Sequence, residues 1–98
     1  MDTRIDKLVT LVIEESSEVI KERCKIAESG EDFVPYADQG RTATNLDNLK
    51  TELVDLWTVM ALLIADPAFI TPTEFARMRE AKLASLRKHR PWIFQTSL

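Results

Sequence analysis

The sequence predicts an all-α fold: a bundle of three long helices plus a loop or short helix, completed by association of copies. Three observations carry this prediction. Apolar residues recur at helical spacing over three long stretches, roughly 3–28, 45–65 and 72–89. Only two glycines and four prolines interrupt the 98 residues. Each stretch also has a plausible capping residue at its start and a helix breaker at its end.

In the first stretch Ile5, Leu8, Val9, Val12, Val19 and Ile26 share the helical period. Thr3 reads as its N-cap, with Asp6 three residues on as a weak capping-box partner. Ser29-Gly30 ends it, because glycine adopts the backbone conformations that close a helix. Residues 31–44 have no period and contain Pro35 and Gly40, so they form a loop with room for one short helical turn. Loops of this length in compact domains are often functional. This one carries recognition-type side chains: Phe33, Tyr36, Gln39 and Arg41.

Thr44 or Asn45 caps the second helix, which runs to about Ala65 and stops at Asp66-Pro67. Leu46, Leu49, Leu53, Leu56, Trp57, Met60, Leu63 and Ile64, with Val59 and Leu62, make its last half apolar nearly all round. A helix of that kind is covered on more than one side, and in so short a chain the second cover is a partner subunit. Thr71-Pro72-Thr73-Glu74 is a strong start for the third helix: cap, proline at the first position, and glutamate to close the capping box. That helix ends at about His89, with Phe75, Met78, Leu83 and Leu86 as its apolar positions, before Pro91. Trp92-Ile93-Phe94 is expected to pack on the bundle or on a partner. Met60 and Met78 read as core.

Composition narrows the function. The length fits one domain, 1–98, and the formal net charge of −3 argues against a nucleic-acid binder. A single cysteine, Cys24, excludes an internal disulfide and reads as structural, since neither a second cysteine nor a nearby histidine supports other chemistry. The opening residues lack a signal-peptide pattern, and the longest nearly apolar run, 56–65, is far short of the roughly 20 residues that span a bilayer. A cytoplasmic protein with no membrane partner is expected.

The chemistry is concentrated in two acidic pairs, Glu15/Glu18 and Glu52/Asp55. Each is spaced i, i+3, so both carboxylates of a pair leave one helix face. On the first helix the line Leu8, Leu11, Glu15, Glu18, Glu22 begins apolar and turns acidic. On the second, Asn48, Glu52, Asp55, Val59, Leu62 begins acidic and turns apolar. Acids that continue a core-facing stripe are not an ordinary solvated face. If the helices pack antiparallel, the two pairs meet. Carboxylates gathered out of bulk water resist ionisation unless a cation sits among them. A hard divalent cation with oxygen ligands is the natural candidate. Glu22 extends the line, but Lys25 at i+3 is placed to neutralise it. The basic run Arg77, Arg79, Lys82, Arg87, Lys88, His89, Arg90 is for the most part a solvated helix end favoured by the macrodipole. Within it, Lys82 is the best placed to reach phosphate.

Residues 11–20, Leu-Val-Ile-Glu-Glu-Ser-Ser-Glu-Val-Ile, followed by Glu-Leu-Val-Asp-Leu-Trp at 52–57, resemble the MazG-like all-α NTP pyrophosphatases. The signature of those nucleoside triphosphate pyrophosphohydrolases is Glu-x-x-Glu on one helix and Glu-x-x-Asp on the next. The resemblance spans about residues 3–90. It implies that Glu15, Glu18, Glu52 and Asp55 hold Mg²⁺, with Mn²⁺ as a substitute. It also implies that Lys82, with Arg87 or Arg90, contacts the phosphates of a nucleoside triphosphate. A homodimer or homotetramer is expected from the 56–65 segment, apolar around most of its circumference. Glu18 and Glu15 are the catalytic candidates, and Glu18 or Glu14 is available as the base for a water attacking the α-phosphorus. Tyr36 and Arg41 are candidate substrate contacts. The gap between Glu18 and Glu52 is longer than is usual in that family, so substrate choice does not carry over. The competing expectation is a helical interaction protein whose acidic face docks a basic partner.

Overall fold

In a computed structural model, residues 1–95 are described. Three α-helices, α1 (Thr3–Ser29), α2 (Asn45–Ile64) and α3 (Pro72–His89), account for most of them, and no strand occurs among them. Two short 3₁₀ turns, Ala37–Gln39 and Pro91–Phe94, complete the order. The expected all-α class is therefore observed. The chain divides into two compact units, Met1–Leu63 and a second beginning at Ile64.

In the first unit α1 starts one residue earlier than its expected cap. Asp2, not Thr3, is the N-cap, and its carboxylate accepts from the Ile5 amide at 2.8 Å. Aspartate wins because its charge also meets the positive end of the helix dipole. At the other end Gly30, at φ 90°, returns its amide to the Ile26 carbonyl at 2.8 Å; the positive φ is why glycine stands there. The loop holds the expected short turn at Ala37–Gln39, between Tyr36 and Gly40, which both take left-handed backbone angles. Thr44 caps α2: its hydroxyl accepts from the Asp47 amide, and the Asp47 carboxylate accepts from the Thr44 amide, each at 3.0 Å.

Asn45 is 1 % exposed and works as a tie instead of a cap. Its Nδ2 donates to the carbonyls of Gly30 at 3.0 Å and Lys25 at 3.3 Å, while the amides of Asn45 and Leu46 donate to the carbonyls of Phe33 and Glu31. The loop is thereby laced to both helices. The same bonds fix direction. Asn45 meets Lys25 near the end of α1, while Glu52 and Asp55 meet Glu15 nearer its start, so the two helices run antiparallel.

Hydrophobic burial among the described residues is slight. Ile5 and Leu63 are the buried hydrophobic residues among those described, whereas Trp57, Val54 and Leu62 on α2 stay about 60 % exposed. Cys24, expected to be structural, is free and exposed on α1.

In the second unit Thr71 and Glu74 form the expected capping box, both bonds at 3.1 Å, with Pro72 at the first helical position. Met78, read as core from its spacing, is 58 % exposed. The helical period marks a face; it does not supply something to cover it. Trp92, Ile93 and Phe94 are also exposed in the single chain, and Arg87 lies over the Phe94 ring at 5.4 Å from its centroid.

Candidate metal centre and the adjoining loop

Antiparallel packing turns two separate i, i+3 patterns into one cluster. Glu15 on α1 and Glu52 and Asp55 on α2 each present a carboxylate oxygen, and these oxygens lie within 4.8 Å of one another. Glu15 and Glu52 are half-buried and Asp55 is exposed. Glu18 is not in this group of three. Its Oε2 lies 3.9 Å from Lys21 Nζ, an exposed i, i+3 pair. Its charge still reaches the cluster. The Glu52 carboxyl is pushed above its ordinary value first by partial burial, then by the charges of Asp55, Glu18, Glu15 and Glu22.

Glu22 is the residue sequence reasoning left divided, and both halves of that reading hold. Its Oε1 pairs with Lys25 Nζ at 3.0 Å, which holds the Lys25 ammonium above its ordinary pKa. Its Oε2 is buried and has no hydrogen-bond partner among the described residues. Such an atom is costly unless something positive or protic meets it. The continuation of the acidic line from Glu15 through Glu18 was the signal for it.

The donor set suits a small hard cation. Three carboxylate oxygens from two helices are the kind of ligand that hard cations take, and such acidic groups are also common without an ion. No histidine or thiolate contributes among the described residues, so a soft-metal site is not indicated.

The two loop residues singled out as substrate contacts are brought together. Tyr36 and Arg41 line one cleft of about 250 Å³ with Lys25, Pro35, Ala43 and Asn48. Tyr36 also closes the turn beside that cleft: its carbonyl accepts from the amides of Gln39 and Arg41, and its φ of 58° is unusual for a residue with a side chain. The three basic candidates lie in the second unit. Lys82 and Arg90 share a cleft of about 320 Å³ with Ser85, Leu86 and His89, while Arg87 is engaged with Phe94.

No protein-family model, curated protein or solved structure matches the chain. No described helix is long and apolar enough to cross a membrane.

Proposed function

We propose that the chain is a Mg²⁺-dependent nucleoside triphosphate pyrophosphohydrolase, converting NTP and water to NMP and pyrophosphate. The observation that carries this reading is the convergence of Glu15, Glu52 and Asp55 from two antiparallel helices. The Glu-x-x-Glu and Glu-x-x-Asp resemblance supports it, as does the buried unpartnered oxygen of Glu22 one turn beyond Glu18. Glu15, Glu52 and Asp55 would hold Mg²⁺ or Mn²⁺, which supplies charge neutralisation for a triphosphate and a water acidified enough to attack at neutral pH.

The protein's own groups do the rest. Glu18, outside the group of three and half-exposed, accepts a proton from the attacking water. The water oxygen bonds to the α-phosphorus, the bond from that phosphorus to the bridging oxygen breaks, and pyrophosphate leaves with the electron pair. Lys82, Arg87 and Arg90 are the phosphate contacts in this reading, and Tyr36 and Arg41 contact the nucleoside. The active form is a homodimer or homotetramer, because Val54, Trp57 and Leu62 leave an apolar face on α2 that a second copy would cover.

Hydrolysis in ¹⁸O-water tests the reaction. Label in the monophosphate, none in pyrophosphate, and dependence on Mg²⁺ or Mn²⁺ are expected. Label in orthophosphate released as first product, or full turnover in Glu52→Gln, would overturn it.

A further inference from the structure

Lys25, Asn48 and Asn45 are the polar residues that the metal-centre argument leaves unused, and all three line clefts beside the 31–44 loop. The first cleft, about 280 Å³, is lined in part by Lys25, Phe33, Tyr36 and Asn45. The second, about 250 Å³, shares Lys25, Pro35 and Tyr36 with it and adds Arg41, Ala43 and Asn48. Each is slightly below the size range of roughly 300–1,000 Å³ typical of sites for drug-sized molecules, and suits one ring system better than a whole nucleotide.

Their position follows from helix periodicity. Glu15, Glu18, Glu22 and Lys25 descend one face of α1, and Asp55, Glu52, Asn48 and Asn45 descend the facing side of α2. Asn48 is one turn from Glu52, so at 1.5 Å per residue the second cleft begins about 6 Å along the helix axis from the carboxylates. That separation matches the span from an α-phosphate to its base across one ribose.

The lining also has a chemical sense. Around the second cleft stand an ammonium, a guanidinium and a carboxamide, and no carboxylate lines it. Lys25 gives one of its three N–H bonds to Glu22 and keeps the others. Tyr36 is 65 % exposed and Phe33 51 %, so flat apolar faces are available beside these donors. Asn45, which lines the first cleft, has a buried Oδ1 without a hydrogen-bond partner among the described residues. In the second cleft donors outnumber acceptors and the Tyr36 ring flanks them, whereas the first cleft also carries the Glu28 carboxylate.

We infer that the Lys25–Tyr36–Arg41–Asn48 cleft is a base-binding site selective for nucleobases bearing ring carbonyl groups, the oxo-bases. Adenine, which keeps ring-nitrogen acceptors but has an amino group where the oxo-purines have a carbonyl, is disfavoured because that amino donor would meet the donors of the cleft and leave them unpaired. This inference rests on the pyrophosphohydrolase reading for its choice of nucleotides. It is nonetheless tested without metal and without turnover.

The experiment is an NMR titration of ¹⁵N-labelled protein in chelator with IMP, UMP, AMP and ribose 5-phosphate. IMP and AMP differ only along the N1–C6 edge, where IMP has N1–H and a carbonyl and AMP has a bare N1 and an amino group. Saturable shifts of the Asn48 side-chain amide and the Gly40 and Arg41 backbone amides are expected with IMP and UMP. AMP should bind at least about fivefold more weakly, the loss expected when a paired donor is left unmet. Arg41→Met should abolish that preference, and Glu52→Gln should keep it. Equal binding of AMP and IMP, equal shifts with ribose 5-phosphate, or no shift at these residues overturns the inference. If hydrolysis is absent while IMP and UMP still titrate Asn48, the enzymatic reading fails and the cleft stands. If hydrolysis occurs with no such preference, the cleft assignment alone fails.

Discussion

Glu22 and Lys25 form an ion pair of 3.0 Å on α1 in which only one carboxylate oxygen is used; the other is buried. The pair therefore lies between an exposed salt bridge, contributing about 0–1 kcal/mol, and a buried one, whose disruption costs about 3–5 kcal/mol. Lys25→Met leaves a buried carboxylate without its cation and should destabilise by about 1–2 kcal/mol in urea unfolding, after allowance for the half-exposed lysine. Glu22→Gln should cost less, because an amide needs no counter-charge. Equal and negligible effects of both changes would mean that the pair holds nothing in place.

Asn45 offers a sharper contrast. Its two donated bonds go to carbonyls of the Gly30 turn and α1, from a side chain with almost no exposure. Asn45→Ala should cost about 2–3 kcal/mol, since two backbone acceptors lose their donor. Asn45→Asp should cost more at pH 7, because a carboxylate would face two carbonyl oxygens with no proton between them. Equilibrium unfolding of the two variants ranks them. Asn45→Asp as stable as wild type would contradict the assigned amide orientation.

Thr71 and Glu74 give a pH-dependent cap. Hydrogen bonds from the backbone and then the side chain of Thr71 hold the Glu74 carboxyl below its ordinary value of 4.5. An acid whose folded pKa is depressed adds stability above its unfolded pKa and loses it as pH falls through the folded one. The amide protection that Glu74 confers on the first turn of α3 should therefore be present at pH 7, start to decline as pH falls below the ordinary value of 4.5, and be lost once pH passes below the lowered folded pKa. Glu74→Gln should show a flatter profile in hydrogen exchange. A Glu74→Gln profile with the wild-type pH dependence would exclude the cap as its source.

Much of this molecule was legible before any coordinates. Helix periods, breakers and the Thr71-Pro72-Thr73-Glu74 cap place the three helices within a residue or two, because those signals are local. The meeting of Glu15 with Glu52 and Asp55 was legible too, since i, i+3 spacing on two antiparallel helices leaves few alternatives. What failed depended on neighbours. Met78 lies at a core-like spacing yet is exposed, and Asp2 displaced Thr3 as cap because carboxylate and hydroxyl compete for the same amides. The Asn45 tie was invisible because its acceptors lie 15 and 20 residues away in sequence. Glu18, counted with the ligands from sequence, lies outside the group of three, while its charge acts on Glu52 together with that of Glu15.

The central claim is that Glu15, Glu52 and Asp55 form one cation site, and thermal melts of wild type and Glu52→Gln test it most directly. Glu52 is surrounded by like charges, so without metal its removal relieves repulsion that folding must overcome. In chelator, Glu52→Gln should melt at or above the wild-type temperature. With Mn²⁺ or Mg²⁺ about 100-fold above its dissociation constant, wild type should gain about 2.7 kcal/mol, rising with the logarithm of metal concentration. The variant should lose most of that gain. A variant that is destabilised in chelator and keeps the full metal response would show that the three carboxylates are not one site.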